Sequence, residues 1–247
     1  MGITLRQAWL ETKLFVRGLD NLFWTLAFPM FFVALFGLIY QDTLWEDMGV
    51  RAFEYVFPGV VVMAMMVTGI MHTGIGFVEE REKGIYRRLS LTPLQPSAIL
   101  GGQLLHRYGL ILVQTGLLFA IGGLGFGARI SGNLGWIWLV VTIGSLCFLS
   151  IGFLLAGFVQ TARAANGIAT AVFFLFLMLG GIFFPSDMMP GFLATVSRAL
   201  PSTLVNTALR EVMIQGRGPA AIWRELAAVG GWFLVSFVVA IKLFRWE

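Results

Sequence analysis

Residues Tyr55–Arg88 read YVFPGVVVMAMMVTGIMHTGIGFVEEREKGIYRR. An uncharged, mostly apolar run (55–78) passes directly into a ten-residue stretch (79–88) in which seven residues are charged. About 20 apolar residues are enough for a helix to cross the hydrocarbon core of a bilayer. The charged stretch cannot stay in that core, because an ionised side chain at mid-bilayer costs several kcal/mol. This segment therefore predicts a membrane crossing that ends abruptly in a charged knob.

Similar uncharged runs lie on both sides of it. Spans are expected at about 22–40, 55–78, 109–128, 136–159, 165–184 and 226–243. The run Ile130–Ala162 is too long for one crossing, so Trp136–Val159 is taken as its membrane part, after a Gly132–Gly135 turn. The last run is short, and Lys242 can snorkel to the surface to complete it. No internal repeat or low-complexity linker interrupts the 247 residues. The expectation is an all-α membrane protein of six transmembrane helices in a single domain spanning 1–247.

Composition agrees. The chain is 58% hydrophobic and 12% charged, with a mean hydropathy of +0.85. Soluble domains carry roughly 25% charged residues. The net charge of +4 is small and the basic residues are scattered, which argues against nucleic acid as a partner. Cys147 is the sole cysteine, so no internal disulfide forms, and two histidines (His72, His106) with one cysteine make a poor zinc set.

Lys and Arg favour the cytosolic side of membrane proteins. With the amino terminus inside, eleven of them (Arg6, Lys13, Arg17, Arg81, Lys83, Arg87, Arg88, Arg107, Arg163, Lys242, Arg245) lie in the cytosol and six outside. Both termini are then expected to be cytosolic, in the cytoplasmic membrane. Residues 1–20 alternate charge and apolarity at helical spacing, with Leu5, Trp9, Thr12, Val16 and Leu19 opposite Arg6, Lys13 and Arg17. That pattern suits an amphipathic helix lying in the membrane interface, with a cytosolic helix packed on the rest of the protein as the alternative.

The predicted spans are chemically quiet. His72 is the one ionisable side chain expected well inside a span, and a hydrogen-bonded role near the cytosolic end suits it better than proton transfer. No G-x-x-x-x-G-K-[ST] phosphate loop occurs, and the three lysines (Lys13, Lys83, Lys242) follow no such pattern. The chain is therefore expected to be non-catalytic, with no cofactor of its own. Glycines in the second, third and fifth spans (Gly69, Gly74, Gly76; Gly122, Gly123, Gly125, Gly127; Gly180, Gly181) predict close helix packing, mostly within the subunit.

Orientation needs only basic residues, yet three of the four residues 79–82 that precede Lys83 are Glu. A solvated loop explains that poorly, and a protein-docking surface explains it well. The string Glu80-Arg81-Glu82-Lys83-Gly84, followed by Arg87-Arg88 and Thr92-Pro93, resembles the signature after the second span of type 2 ABC exporter membrane subunits. Size, span number and a long segment before the last span resemble that family over nearly the whole chain. The resemblance implies two ATP-binding cassette subunits as partners, which bring ATP and Mg, and a second membrane subunit in a homo- or heterodimer. It also implies a cytosolic coupling helix after the second span, contacting the ATPase through Glu79, Glu80, Arg81, Glu82, Lys83, Gly84, Arg87 and Arg88, with Arg163 as a weaker contact.

The family resemblance further implies a helical outer loop before the sixth span. In this chain Leu204, Ala208 and Val212, flanked by Val205, Leu209 and Met213, form an apolar stripe, with Arg210 and Glu211 on the polar side. It also implies a substrate pathway between membrane subunits along the second and fifth spans, here offering Met63, Met66, Phe173, Phe174 and Phe176. Such surfaces suit a hydrophobic or amphiphilic substrate (drug, antibiotic or lipid-like). A secondary transporter or channel not using ATP is the alternative. It would need intramembrane charges or paired broken helices, and neither is apparent in the sequence.

Overall fold

The computed structural model describes residues 2–40, 43–45, 50–89, 96–182 and 190–243. Among the described residues, six helices are long and apolar enough to cross a membrane: Phe23–Tyr40, Ala52–Glu82, Ala98–Gly125, Leu134–Phe158, Ala162–Leu179 and Trp223–Leu243. The second and fourth are largely buried, while in each of the other four fewer than a third of the residues are. The bundle is thus two central helices with four around them, and many large apolar side chains are exposed on its outside.

Glycine sets the central crossing. A β-carbon at Gly152 would overlap the Gly69 carbonyl oxygen and lie 2.9 Å from Thr73 Cβ. One at Gly69 would lie 2.6 Å from Phe148 Cβ. The second and fourth spans therefore touch backbone to backbone, as small residues allow in lipid. Gly122 likewise seats the Phe57 ring, and Gly180 abuts Ser202. Gly123 and Gly125 meet nothing within 4 Å, so not every glycine is a packing glycine.

Two boundaries differ from expectation. The second span stays helical through Glu82 instead of ending near Val78, and turns only at Lys83-Gly84, where Gly84 takes φ 67°. Left-handed backbone is natural for glycine and disfavoured elsewhere. A short helix, Ile85–Leu89, follows. Residues 90–95, including Thr92 and Pro93, lie outside the described residues. The helix containing the third span begins at Pro96, well before the expected Gly109, and so takes in His106 and Arg107. Contacts from other segments accompany it: Thr12 Oγ1 lies 2.9 Å from His106 Nδ1, and the Arg107 guanidinium sits over the Phe77 ring, 4.4 Å from its centroid. The amino-terminal helix Ile3–Arg17 packs on this segment, its Gln7 and Thr4 against Gly102.

At the opposite, far end, the segment before the sixth span forms two helices, Gly191–Ala199 and Pro201–Met213. The second is inserted into the bundle: Val205, Ala208, Leu209, Val212 and Met213 are buried, and Asn206 Nδ2 donates to the Gly181 carbonyl at 2.9 Å. Its Arg210, assigned from sequence to the polar side, turns inward instead. The guanidinium lies 3.7 Å from the Tyr55 ring centroid and donates to the carbonyls of Tyr55 (3.1 Å) and Ile182 (3.2 Å). Burial lowers its pKa to about 10, which leaves it charged at neutral pH. Hydrogen bonds to charged groups contribute about 1.5–3 kcal/mol each. Arg210→Ala should therefore lower thermal stability in detergent clearly more than Arg217→Ala, a half-exposed side chain whose Glu211 partner lies 3.4 Å away. Equal melting temperatures for the two variants would rule out the clamp.

Candidate functional site: the charged end of the second span

The last turn of the second span divides its charges between two directions. Glu80 and Arg81 turn inward. Tyr86, almost wholly buried, donates its hydroxyl to Glu80 Oε2 at 2.7 Å and also lies 3.1 Å from Gln103 Oε1. Gln103 Nε2 donates to the same Glu80 oxygen. Burial, and then the Glu80 charge, raise the Tyr86 pKa far above its ordinary value, so the phenol stays a donor. Arg81 donates to the Val159 carbonyl at the end of the fourth span.

Glu82 lies at the start of the fifth span. Its Oε2 accepts from the Ala162 N–H at 2.8 Å, beside the Thr161 hydroxyl that caps the same helix through Ala164 N. A carboxylate at a helix amino terminus is favourable by about 0.3–1 kcal/mol. Arg163 stands exposed in that same first helical turn. Arg81 and Glu82 thus tie the second span to the tight connection Val159–Thr161 between spans four and five. Glu79 pairs with Lys83 at 3.2 Å.

What remains on the surface is mainly positive. Lys83, Arg87, Arg88 and Arg163 are exposed with Glu82, and Gly84 supplies the turn that presents them. Arg88 Nη2 donates to the Lys83 carbonyl at 3.3 Å, which closes that turn.

Sequence reasoning missed four members of this cluster. Tyr86 was visible as the lone aromatic among the charges, and Gln103 with Arg107 shows the i, i+4 spacing of one helix face. Glu11 was hidden among residues assigned to an interfacial helix, and it packs toward Gln103, Arg107 and Glu80. His72 is hydrogen-bonded as expected, with Nδ1 2.9 Å from Thr25 Oγ1.

The five residues named for a substrate pathway do not share one surface. Met63 and Met66 are fully buried in the subunit's own core, and Phe173 and Phe176 nearly so. Phe174 is 53% exposed, with Ile168, Leu175 and Met178 also exposed on the fifth span. A path along the outside of this subunit would meet Phe174, with the two methionines packed behind the helices that frame it.

Six apolar helices with a charged, self-braced turn beneath the second define a multi-pass membrane protein of the transport permease class. A family model described as "ABC-2 type transporter" matches residues 6–214, and the chain belongs to that family. The protein is 24% identical to the putative transport permease YvfS of Bacillus subtilis (strain 168), over 99% of this chain and 98% of that one. It is 24% identical over 81% of its length to ABC transporter G family member 20 of Dictyostelium discoideum, of which it spans 28%. It is 22% identical over 76% of its length to the linearmycin resistance permease protein LnrN of Bacillus subtilis, of which it spans 48%.

Proposed function

We propose that the chain is the membrane subunit of an ATP-driven exporter for hydrophobic or amphiphilic molecules, powered by two separate ATP-binding cassette subunits seated on residues 79–88. A second membrane subunit completes the pathway, which runs along the exposed face of the fifth span at Phe174. The observation that carries this reading is the unbroken helix Ala52–Glu82, whose last turn is bonded to Val159 and Ala162. A push on that turn reaches the second, fourth and fifth spans together. Relatives named as transport and multidrug permeases support the exporter class.

The exposed charges sharpen the partner's chemistry. With Lys83, Arg87, Arg88 and Arg163 outermost, the ATPase should present an acidic cleft. Like charges brought together at an interface cost several kcal/mol. Arg87→Glu combined with Arg88→Glu should therefore weaken co-purification of a tagged cassette protein at least about tenfold, and raised salt should weaken the unaltered complex. Unchanged recovery of the cassette protein with the double variant would remove this surface from the docking site. Arg87 and Arg88 are both exposed, so membrane insertion of the variant should be normal.

A further inference from the structure

A cavity of about 270 Å³ opens at the charged end between the amino-terminal helix, the second span and the third span. Its walls carry both signs: Glu11, Glu79 and Glu80 against Lys83 and Arg107. Arg107 is poorly served there. Its side chain is 11% exposed, its nearest carboxylate oxygen (Glu80 Oε1) is 3.9 Å away, and its Nη1 is buried with no hydrogen-bond partner. A buried donor left without an acceptor costs about 1–3 kcal/mol, more when charged. Glu80 cannot make up the deficit, since its other oxygen is held by Tyr86 and Gln103.

The other charges are similarly available. Glu79 and Lys83 form a solvent-exposed pair at 3.2 Å, and such pairs are worth about 0–1 kcal/mol, so an occupant can part them. Burial, and then the neighbouring Glu80, raise the Glu11 pKa. That carboxylate accepts from the neutral Gln7 Nε2 at 3.0 Å and feels Arg107, yet these do not offset its burial. At the rim stands Leu14, 64% exposed, on the helix that also exposes Trp9 and Leu10.

We propose that this crevice binds a phosphate ester carrying a primary ammonium, the phosphoethanolamine headgroup of a membrane lipid. The phosphate faces Arg107 and Lys83, the ammonium faces Glu11 and Glu79, and the acyl chains leave across Leu14. A lone anion would meet three carboxylates, and a lone cation would meet Arg107. A zwitterion meets both signs. A primary ammonium brings three hydrogen-bond donors, which a quaternary one lacks. The depth is right, because the crevice lies where the apolar part of the second span gives way to its charged turn.

The test uses the full chain, delipidated in detergent and titrated with phosphatidylethanolamine, phosphatidylglycerol or phosphatidylcholine, with bound lipid counted by native mass spectrometry. The site predicts phosphatidylethanolamine retention at concentrations at least tenfold below those needed for the other two. Glu11→Gln should lose that preference with an unchanged or higher melting temperature, since it removes a half-buried charge. The exposed Lys83→Gln should weaken retention without unfolding the chain. Equal retention of the three lipids, preference for phosphatidylglycerol, or full preference in Glu11→Gln would overturn the proposal. Soluble glycerophosphoethanolamine provides the last arm: if it binds as tightly as the lipid, the ligand is a free zwitterion and the lipid assignment fails. No cassette partner is needed for these readings, so the outcome is independent of the exporter reading.

Discussion

Gly152→Leu is expected to prevent the second and fourth spans from packing, and to cost more stability than any other single substitution discussed here. The contact leaves no room to adjust. A β-carbon at 152 overlaps the Gly69 carbonyl oxygen and presses on Thr73, and these are backbone and a β-branched carbon rather than the tip of a flexible side chain. From the other side, Gly69 is closed by Phe148, and a β-carbon at Gly74 would come within 3.3 Å of the Gly152 carbonyl oxygen. Overpacking a tight core costs about 1–3 kcal/mol and occasionally more. A substitution against two backbones belongs at the upper end. That corresponds to a loss of about 5–10 °C in melting temperature for a chain of this length. Size exclusion after heating in detergent measures it. Gly123→Ala, where an added carbon meets nothing within 4 Å, is the control and should be silent. If Gly152→Leu melts with the unaltered protein, the crossing described here is wrong.

The second large effect concerns coupling. Glu82→Lys is expected to reduce both partner-dependent ATPase stimulation and export about tenfold or more, while the protein still inserts and folds. Two losses act together. The new cation repels the amino terminus of the fifth span, where Glu82 now accepts from Ala162, and it sits beside Arg163. It also breaks the tie by which movement of the second span reaches the fifth. Glu82→Gln separates these effects, because an amide oxygen can still accept the Ala162 N–H. The glutamine variant should keep a substantial part of the activity. Full export by Glu82→Lys would show that this tie carries no force.

The helical architecture was legible because hydrophobic length is nearly a sufficient signal in a membrane protein. Uncharged runs located all six spans, and the density of charge after Val78 singled out the candidate site. Boundaries were less legible, since a helix need not stop where charge begins. Glu80 and Arg81 remain in the second helix because Tyr86, Gln103 and Val159 satisfy them, and those partners come from distant segments. The same physics hid Arg210. On a helical wheel it belongs with Glu211, but the Tyr55 ring and two carbonyls form a pocket for it that only the folded bundle shows. Met63 and Met66 illustrate the opposite limit. Periodicity gives no means to separate a methionine facing a partner from one facing its own core, and here both are buried.

The central claim is that the driving energy comes from outside this chain and acts on the charged turn beneath the second span. Proteoliposomes containing this permease subunit, with and without its cassette partner, test it most directly by following an amphiphilic fluorescent substrate after ATP addition. The account predicts movement only when the partner, ATP and an intact 79–88 segment are all present. Transport by the permease subunit alone, or transport undiminished when that segment is charge-reversed, would contradict it.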